Sequence, residues 1–146
     1  MVSLSTVRTT KTPETLFATE PMNDSMPVIL IVEDDEDSRV MLKILLGTWD
    51  YQVIEAENGE AAVQIAEEFC PDLILMDVKL PHLDALDTTH RIRESRKVSG
   101  VPVVLLSGCA GANYRDAASV AGGNEYLVKP LDFEELQNIL GKYLHH

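Results

Sequence analysis

Short apolar segments alternate with longer amphipathic segments from Pro27 to the C-terminal end of the sequence. Five of the short segments predict β-strands, and the first, third and fourth are apolar almost throughout. They are Val28–Val32, Gln52–Ala56, Leu73–Met76, Val101–Leu106 and Glu125–Val128. Strands without polar alternation are typical of a parallel sheet that is covered on both faces. The alternation therefore predicts five β-then-α units in a doubly wound α/β sheet.

The first amphipathic segment predicts a helix that starts with acidic residues, Asp35-Glu36-Asp37, which favour the positive end of the helix dipole. Its apolar residues recur at helical spacing and predict one buried face. They are Val40, Met41, Ile44 and Leu45. Asn58 and Asp132 predict the N-caps of the second and fifth helices. We expect the third helix over about residues 84–96 and the fourth over about residues 114–121.

The first 26 residues differ in composition from the rest of the chain, being rich in Thr, Ser, Pro and Met without sustained periodicity. We expect residues 1–26 to form a flexible N-terminal tail, followed by one globular domain over residues 27–146. A short docking helix around residues 14–20 is the alternative for the tail. No apolar run approaches the roughly 20 residues of a membrane-spanning helix, and no secretory signal is recognisable. The expected compartment is the cytoplasm.

Acidic residues outnumber basic residues by 24 to 12, which gives a formal net charge of −12. This charge opposes approach to nucleic-acid phosphates and anionic lipids, so we expect neither direct nucleic-acid binding nor membrane association. The two cysteines, Cys70 and Cys109, lack the spacing of a zinc site and are expected to be free thiols. The terminal His145-His146 is either native or the remnant of a tag.

Polar side chains follow four of the predicted strands, at the edge where a doubly wound sheet carries its functional site. They are Glu33-Asp34-Asp35, Asp77, Ser107 and Lys129-Pro130. Strands one and three should be neighbours where the strand order reverses, so we expect Asp34 and Asp77 to converge. Clustered carboxylates repel one another unless a cation compensates them. Mg²⁺ fits best because it combines one or two carboxylates with waters and phosphate oxygens, and the sequence contains no calcium-loop pattern.

A phosphoryl group entering such a site needs a fixed positive charge and a hydroxyl donor, and Lys129 and Ser107 supply them. A flavodoxin-like electron carrier would instead need a phosphate-cradling loop after the first strand, where this chain has acids that repel an anionic cofactor. Walker-type nucleotide binding is excluded because no G-x-x-x-x-G-K-[ST] motif occurs.

Four motifs in chain order resemble the response-regulator receiver domain of two-component signalling, the CheY-like family. They are Ile-Leu-Ile-Val-Glu33-Asp34-Asp35, Asp72-Leu-Ile-Leu-Met-Asp77 followed by Leu80-Pro81-His-Leu-Asp84, Leu106-Ser107-Gly108, and Tyr126-Leu-Val-Lys129-Pro130. The resemblance covers about residues 27–146. It implies a flavodoxin-like, five-stranded parallel sheet of order 2-1-3-4-5 with helices on both faces. It also implies a signalling switch that catalyses its own phosphorylation and dephosphorylation, not an enzyme with an outside substrate.

The resemblance implies that Asp77 accepts a phosphoryl group from a sensor histidine kinase or a histidine phosphotransfer protein, forming an aspartyl phosphate. Glu33 and Asp34 would hold Mg²⁺ together with Asp77 and the backbone carbonyl of Lys79. The Lys79 side chain either influences water access to the phosphoryl group or is a solvated loop lysine. Asp35 is an extra acid that we expect to start the first helix.

The resemblance assigns the remaining site residues to phosphoryl recognition and switching. Ser107 would hydrogen-bond the phosphoryl group, Lys129 would pair with it, and Tyr126 would be the aromatic residue whose rotamer reports phosphorylation. The Lys129–Pro130 peptide bond is typically cis in such receivers.

With no effector sequence recognisable after the last helix, we expect a stand-alone response regulator whose output passes through a partner. A downstream effector protein that binds the face around strands four and five, or a phosphotransfer histidine, would receive the signal. The oligomeric state stays open, and a phosphorylation-linked homodimer is one alternative. A degenerate receiver that serves only as a phosphorylation-independent interaction module is the alternative function.

Overall fold

The computed structural model describes residues 2–3, 7–8, 26–78, 84–108 and 112–144. Several residues named in the sequence analysis lie outside these ranges: the alternative tail helix at residues 14–20, Lys79 with its carbonyl, Cys109 and His145-His146. Strands and helices alternate from Val28 onward, and their bounds are β1 (Val28–Val32), α1 (Glu36–Thr48), β2 (Gln52–Ala56), α2 (Gly59–Phe69), β3 (Leu73–Asp77), α3 (Ala85–Glu94), β4 (Val103–Ser107), α4 (Ala112–Ala121), β5 (Glu125–Val128) and α5 (Phe133–Tyr143).

The five strands form one parallel sheet in the order β2-β1-β3-β4-β5. This is the predicted order 2-1-3-4-5, and it confirms the flavodoxin-like, doubly wound fold. Val2–Ser3 and Val7–Arg8 pair antiparallel in a separate two-stranded sheet. Within the described ranges, no helix is long and apolar enough to cross a membrane.

The core lies in two layers, one on each face of the sheet, because successive residues of each central strand point to opposite faces. On one face the strands pack against α2, α3 and α4; on the other they pack against α1 and α5. The first layer includes Leu30, Val32, Ile74, Met76, Ala62, Ala66, Ile92 and Ala118. The second includes Ile29, Ile31, Leu73, Leu75, Leu42, Leu46, Leu136 and Leu140. Double coverage explains why β1, β3 and β4 lack polar alternation.

Acidic or amide side chains cap the helices where the sequence predicts them. The side chain of Asp35 accepts a hydrogen bond from the backbone N–H of Ser38 at 2.9 Å, and Asn58 caps α2 in the same way. Asp132 accepts from two backbone N–H groups at the start of α5. The role of Asp35 as a helix start is therefore confirmed. Asp84, predicted inside the third helix, is instead its N-cap.

The predicted buried face of α1 is wrong at three of its four positions. Val40, Met41 and Ile44 are 45%, 44% and 65% exposed, while Leu42 and Leu46 are buried against the sheet. Only the fourth predicted position packs against the core. Apolar residues fill six of the seven positions from 40 to 46, so helical spacing alone fits two overlapping stripes. Packing against the sheet selects the stripe that contains Leu42 and Leu46.

Candidate functional site

Three carboxylates meet at the carboxyl ends of β1 and β3. Val32 pairs with Met76 across these neighbouring strands, so the next residue of each strand, Glu33 and Asp77, emerges at the same level. One carboxylate oxygen each from Glu33, Asp34 and Asp77 lies within 4.8 Å of the others. Glu33 and Asp77 are buried, whereas Asp34 is exposed. The strand order therefore brings Asp34 and Asp77 together, as expected.

Lys129 follows β5 directly, and its side chain contacts this cluster. Its Nζ atom donates to Asp77 Oδ2 at 2.9 Å and lies 3.7 Å from Glu33 Oε1. Burial opposes the charge of Lys129, but the hydrogen bond from Lys129 to Asp77 and the attraction of both carboxylates outweigh it and raise the lysine pKa. The peptide bond from Lys129 to Pro130 is cis, as the family resemblance implies.

Burial and the neighbouring carboxylate of Asp77 both disfavour the charged form of Glu33. Burial, a side-chain hydrogen bond with Asp77 and repulsion by Asp77 raise the pKa of Glu33 from 4.5 to about 7. The backbone N–H of Asp35, which donates to Glu33 Oε2 at 3.3 Å, and the charge of Lys129 lower this pKa only in part. The cluster therefore holds a proton at a pH where isolated carboxyl groups have lost theirs.

The donor set of the cluster suits a hard divalent cation. All three groups are carboxylates, and three acids with one lysine leave a formal charge of about −2 when all are ionised. Oxygen ligands and a net charge that one divalent ion neutralises fit Mg²⁺. Asp35 does not belong to this set because its side chain caps α1. The remaining predicted ligand, the Lys79 carbonyl, lies outside the described residues.

Ser107 and Tyr126 lie on β4 and β5, the two strands on the Lys129 side of the sheet. Ser107 is fully buried at the end of β4, one strand away from Asp77, and its backbone carbonyl accepts from the N–H of Lys129 at 2.7 Å. The Tyr126 ring is buried on the face of β5 that packs against α4. The guanidinium of Arg115, on α4, lies 5.0 Å from the centre of this ring, at cation–π distance.

Residues 33–35, between β1 and α1, carry two acids of the candidate metal site and are called the metal-site loop below. Arg39 contacts this loop, although the sequence offered no direct sign of the contact. Its Nη1 atom donates to the backbone carbonyl of Glu33 at 2.9 Å, and its Nε atom donates to Glu55 of β2 at 3.3 Å. The available signals were a lone arginine in an acidic and apolar helix and a charged residue within a strand. Neither signal identifies its partner.

Comparison with known proteins agrees with this geometry. The histidine kinase P4 of Formosa agariphila is 39% identical over 116 residues, covering 77% of this chain and 8% of the kinase. A 14.6 kDa protein in the sodA1 3′ region of Leptolyngbya boryana is 35% identical, covering 79% of this chain and 88% of that protein. The chain thus spans a small part of the kinase and most of the second relative.

A solved structure shares both the fold and part of the sequence. It is the receiver domain of the sensor histidine kinase PA1611 from Pseudomonas aeruginosa, which has a magnesium ion coordinated in its active site cleft. Its TM-score is 0.75 at 36% identity, covering 81% of this chain and 97% of that chain. The family model of the response regulator receiver domain matches residues 29–141. With the predicted strand order also present, this match shows that the chain belongs to the response regulator receiver domain family of two-component signalling.

Proposed function

We propose that this receiver is a phosphorylation switch in which Asp77 accepts a phosphoryl group in a Mg²⁺-dependent reaction. The observation that carries the proposal is the convergence of three carboxylates and one lysine at a single edge of the sheet. Asp77 ends the buried strand β3, only 6% exposed, with Lys129 at 2.9 Å and the oxygens of Glu33 and Asp34 close by. Such a set of opposed charges is expected where phosphoryl transfer has to be stabilised.

In the proposed reaction a carboxylate oxygen of Asp77 attacks the phosphorus of a phosphohistidine on a sensor kinase or phosphotransfer protein. The new P–O bond forms as the P–N bond breaks, and the departing imidazole takes up a proton. Mg²⁺, held by Glu33, Asp34 and Asp77, would neutralise negative charge on the phosphoryl oxygens when bound. Lys129 pairs with a phosphoryl oxygen and Ser107 donates its hydroxyl hydrogen to another. Attack of water on the phosphorus later breaks the bond to the Asp77 oxygen, which releases inorganic phosphate and restores the carboxylate.

Phosphorylation would change the partner of Lys129 from the carboxylate of Asp77 to the phosphoryl group. Lys129 and Tyr126 stand three residues apart on β5 and its continuation, and Ser107 ends the neighbouring strand. A rearrangement of Ser107 and Lys129 is therefore transmitted to Tyr126 and to the surface around β4 and β5. We assign this surface to the binding of a downstream effector. The switch catalyses only its own phosphorylation and dephosphorylation.

The wider setting follows from the family and from the charge. We infer a cytoplasmic receiver domain over residues 27–146, preceded by a tail over residues 1–26, that pairs with a histidine kinase or a phosphotransfer protein. The net charge of −12 argues against direct nucleic-acid binding. A phosphorylation-linked homodimer is consistent with the proposal. A phosphorylation-independent interaction module is not favoured, because the acceptor, the two further acids and the lysine all converge.

Labelling with a small phosphodonor such as acetyl phosphate tests the proposal. In the presence of Mg²⁺ the wild type should gain one acid-stable, base-labile phosphoryl group by intact mass. Asp77→Asn should gain none, because an amide oxygen is a poor nucleophile. Asp116→Asn, which changes an exposed acid on α4, serves as the matched control and should label like the wild type. Equal labelling of Asp77→Asn would refute the acceptor assignment, and equal labelling without Mg²⁺ would refute the metal requirement.

A further inference from the structure

Arg39 lies between the metal-site loop and the edge strand of the sheet. Its guanidinium donates through Nη1 to the backbone carbonyl of Glu33 at 2.9 Å and through Nε to Glu55 Oε1 at 3.3 Å. Only 13% of its side chain is exposed. Arg39 therefore joins three elements: the loop after β1, the helix α1 that carries it, and β2.

The carbonyl that Arg39 holds belongs to the peptide between Glu33 and Asp34, the two loop acids of the cluster. The N–H of Glu33 is already fixed, since it donates to the backbone carbonyl of Ala56 at 3.1 Å. With Arg39 on the carbonyl side, the backbone of Glu33 is held at both ends. Because this short segment is neither strand nor helix, its peptide orientation decides where both carboxylates point.

The chemistry of the contact favours arginine. A planar guanidinium presents several donors in a fixed fork and can bridge a carbonyl and a carboxylate, whereas an ammonium is a point charge. Lys43 also pairs with Glu55, at 3.2 Å, but 56% of its side chain is exposed. Glu55 thus receives two cations, and the described contacts connect Arg39 to the metal-site loop.

We propose that Arg39, anchored by Glu55, is a positioning residue for the Mg²⁺ site: it orients the Glu33–Asp34 peptide so that both carboxylates converge with Asp77. The inference rests on the proposed function, since it concerns the same metal site. Arg39 acts through the backbone and does not touch the ion. Groups that orient metal ligands from behind typically change metal affinity by about 10–100-fold when they are removed.

Charge and positioning predict opposite results for the loss of Arg39, which makes the inference testable. If Arg39 acted only through its charge, its removal would make the site more negative and tighten Mg²⁺ binding. If Arg39 positions the ligands, its removal weakens binding in spite of the more negative site. Lys43 offers a matched control because its removal deletes the same charge next to the same glutamate.

The experiment measures Mg²⁺ affinity by isothermal titration of the wild type, Arg39→Gln, Arg39→Lys and Lys43→Gln. We expect the dissociation constant to rise about 10-fold in Arg39→Gln and to stay within about twofold in Lys43→Gln. Arg39→Lys keeps the charge and loses the fork, so a smaller rise is expected. Amide hydrogen exchange without metal should be faster at Glu33 in Arg39→Gln and unchanged in Lys43→Gln.

An unchanged or lower dissociation constant in Arg39→Gln, with unchanged exchange at Glu33, would overturn the positioning role. If Arg39→Gln fails to fold, Arg39→Lys decides the question in the same titration. Failure of the wild type itself to bind Mg²⁺ would instead refute the proposed function. The two failures are therefore distinguishable.

Discussion

At the amino-terminal ends of the strands, called here the amino edge of the sheet, polar side chains bond to backbone groups. At the carboxyl-terminal ends, the carboxyl edge, they face one another. At the amino edge, Asp72 accepts from the backbone N–H of Val28 at 2.7 Å, and Asn124 accepts from the N–H of Val103 at 2.8 Å. At the carboxyl edge, Glu33 and Asp77 meet as buried acids with one lysine beside them. The same sheet thus ends in two different kinds of polar structure.

The side chains at the amino edge stabilise the fold, whereas the acids at the carboxyl edge do not. Asp72 and Asn124 are exposed, but a polar side chain that bonds to a backbone group removes the cost of leaving that group unsatisfied. Acids that are buried and that repel each other cost stability, and the raised pKa of Glu33 reflects its burial first and the neighbouring Asp77 second. Local conflict of this kind within an otherwise consistent fold is typical of a functional site.

Arg93 is the most connected side chain described at the amino edge. It donates to the backbone carbonyls of Ser99, Val101 and Gly122 and to Asn124 Oδ1, at 2.7 to 3.0 Å. Gly122 has φ of +106°, and a Cβ atom there would lie 2.7 Å from Cγ of Arg93. Glycine is therefore required where the backbone approaches the arginine. These bonds tie α3 to the connections that lead into β4 and β5.

Replacement of Arg93 should have the largest effect on stability. Arg93→Met leaves three backbone carbonyls without this donor and removes one of the two hydrogen bonds to Asn124 Oδ1, which keeps the N–H of Val103. We therefore expect a loss of about 2–4 kcal/mol in the free energy of unfolding. Urea denaturation followed by circular dichroism measures it. Arg91→Met, on the exposed side of the same helix, should change stability by less than about 0.5 kcal/mol. A loss below 1 kcal/mol for Arg93→Met would contradict the structural role of the amino edge.

The raised pKa of Glu33 at the carboxyl edge should make the stability of the protein depend on pH. Between pH 4.5 and about 7 the folded state keeps a proton on Glu33 that the unfolded state has released, so the contribution of Glu33 to stability falls as pH rises. Above about pH 7 the cost is complete and stays constant. The magnitude is on the order of 3 kcal/mol. Unfolding free energies of the wild type and Glu33→Gln in EDTA, measured across this range, isolate the contribution.

Mg²⁺ provides the control for the pH experiment. A cation that binds the ionised carboxylates should reduce the difference between the wild type and Glu33→Gln at pH 8. If the difference does not depend on pH in EDTA, burial and the neighbouring Asp77 do not disfavour the charge of Glu33.

A smaller effect is expected at Thr88, in α3, which begins on the carboxyl side of the sheet. Thr88 is fully buried, and its hydroxyl has no hydrogen-bond partner among the described residues. Thr88→Val keeps the shape and removes the unsatisfied hydroxyl, so a gain of up to about 1 kcal/mol is expected. The neighbouring Thr89 is the matched comparison, because its hydroxyl donates to the Ala85 carbonyl at 2.8 Å. Thr89→Val should be neutral or destabilising in thermal unfolding. If Thr88→Val destabilises the protein as much as Thr89→Val does, the assignment of the Thr88 hydroxyl as unsatisfied is wrong.

The strands and helix starts were largely predictable because their signals are local. The bounds of β1, β2 and β5 match the prediction, and β3 and β4 differ by one or two residues at their ends. Asn58 and Asp132 cap their helices as predicted, and Asp35, which was predicted to start the first helix, is its N-cap. These positions were predictable because a cap bonds only to backbone two or three residues away. The acids at the strand ends were recognisable for the same reason, since each directly follows an apolar strand.

What the local pattern could not decide is how elements meet. The apolar stripe of α1 was ambiguous until the sheet selected Leu42 and Leu46. The contact of Arg39 with Glu33 and Glu55 joins residues up to 16 positions apart, and it depends on where α1 lies against β2. Periodicity and caps depend on residues that are close along the chain. The sequence by itself therefore determined the order of the elements and the acids at the ends of the strands. The distances between charges, the raised pKa of Glu33 and the partners of Arg39 depend on strand register and packing, which exist only in the folded molecule.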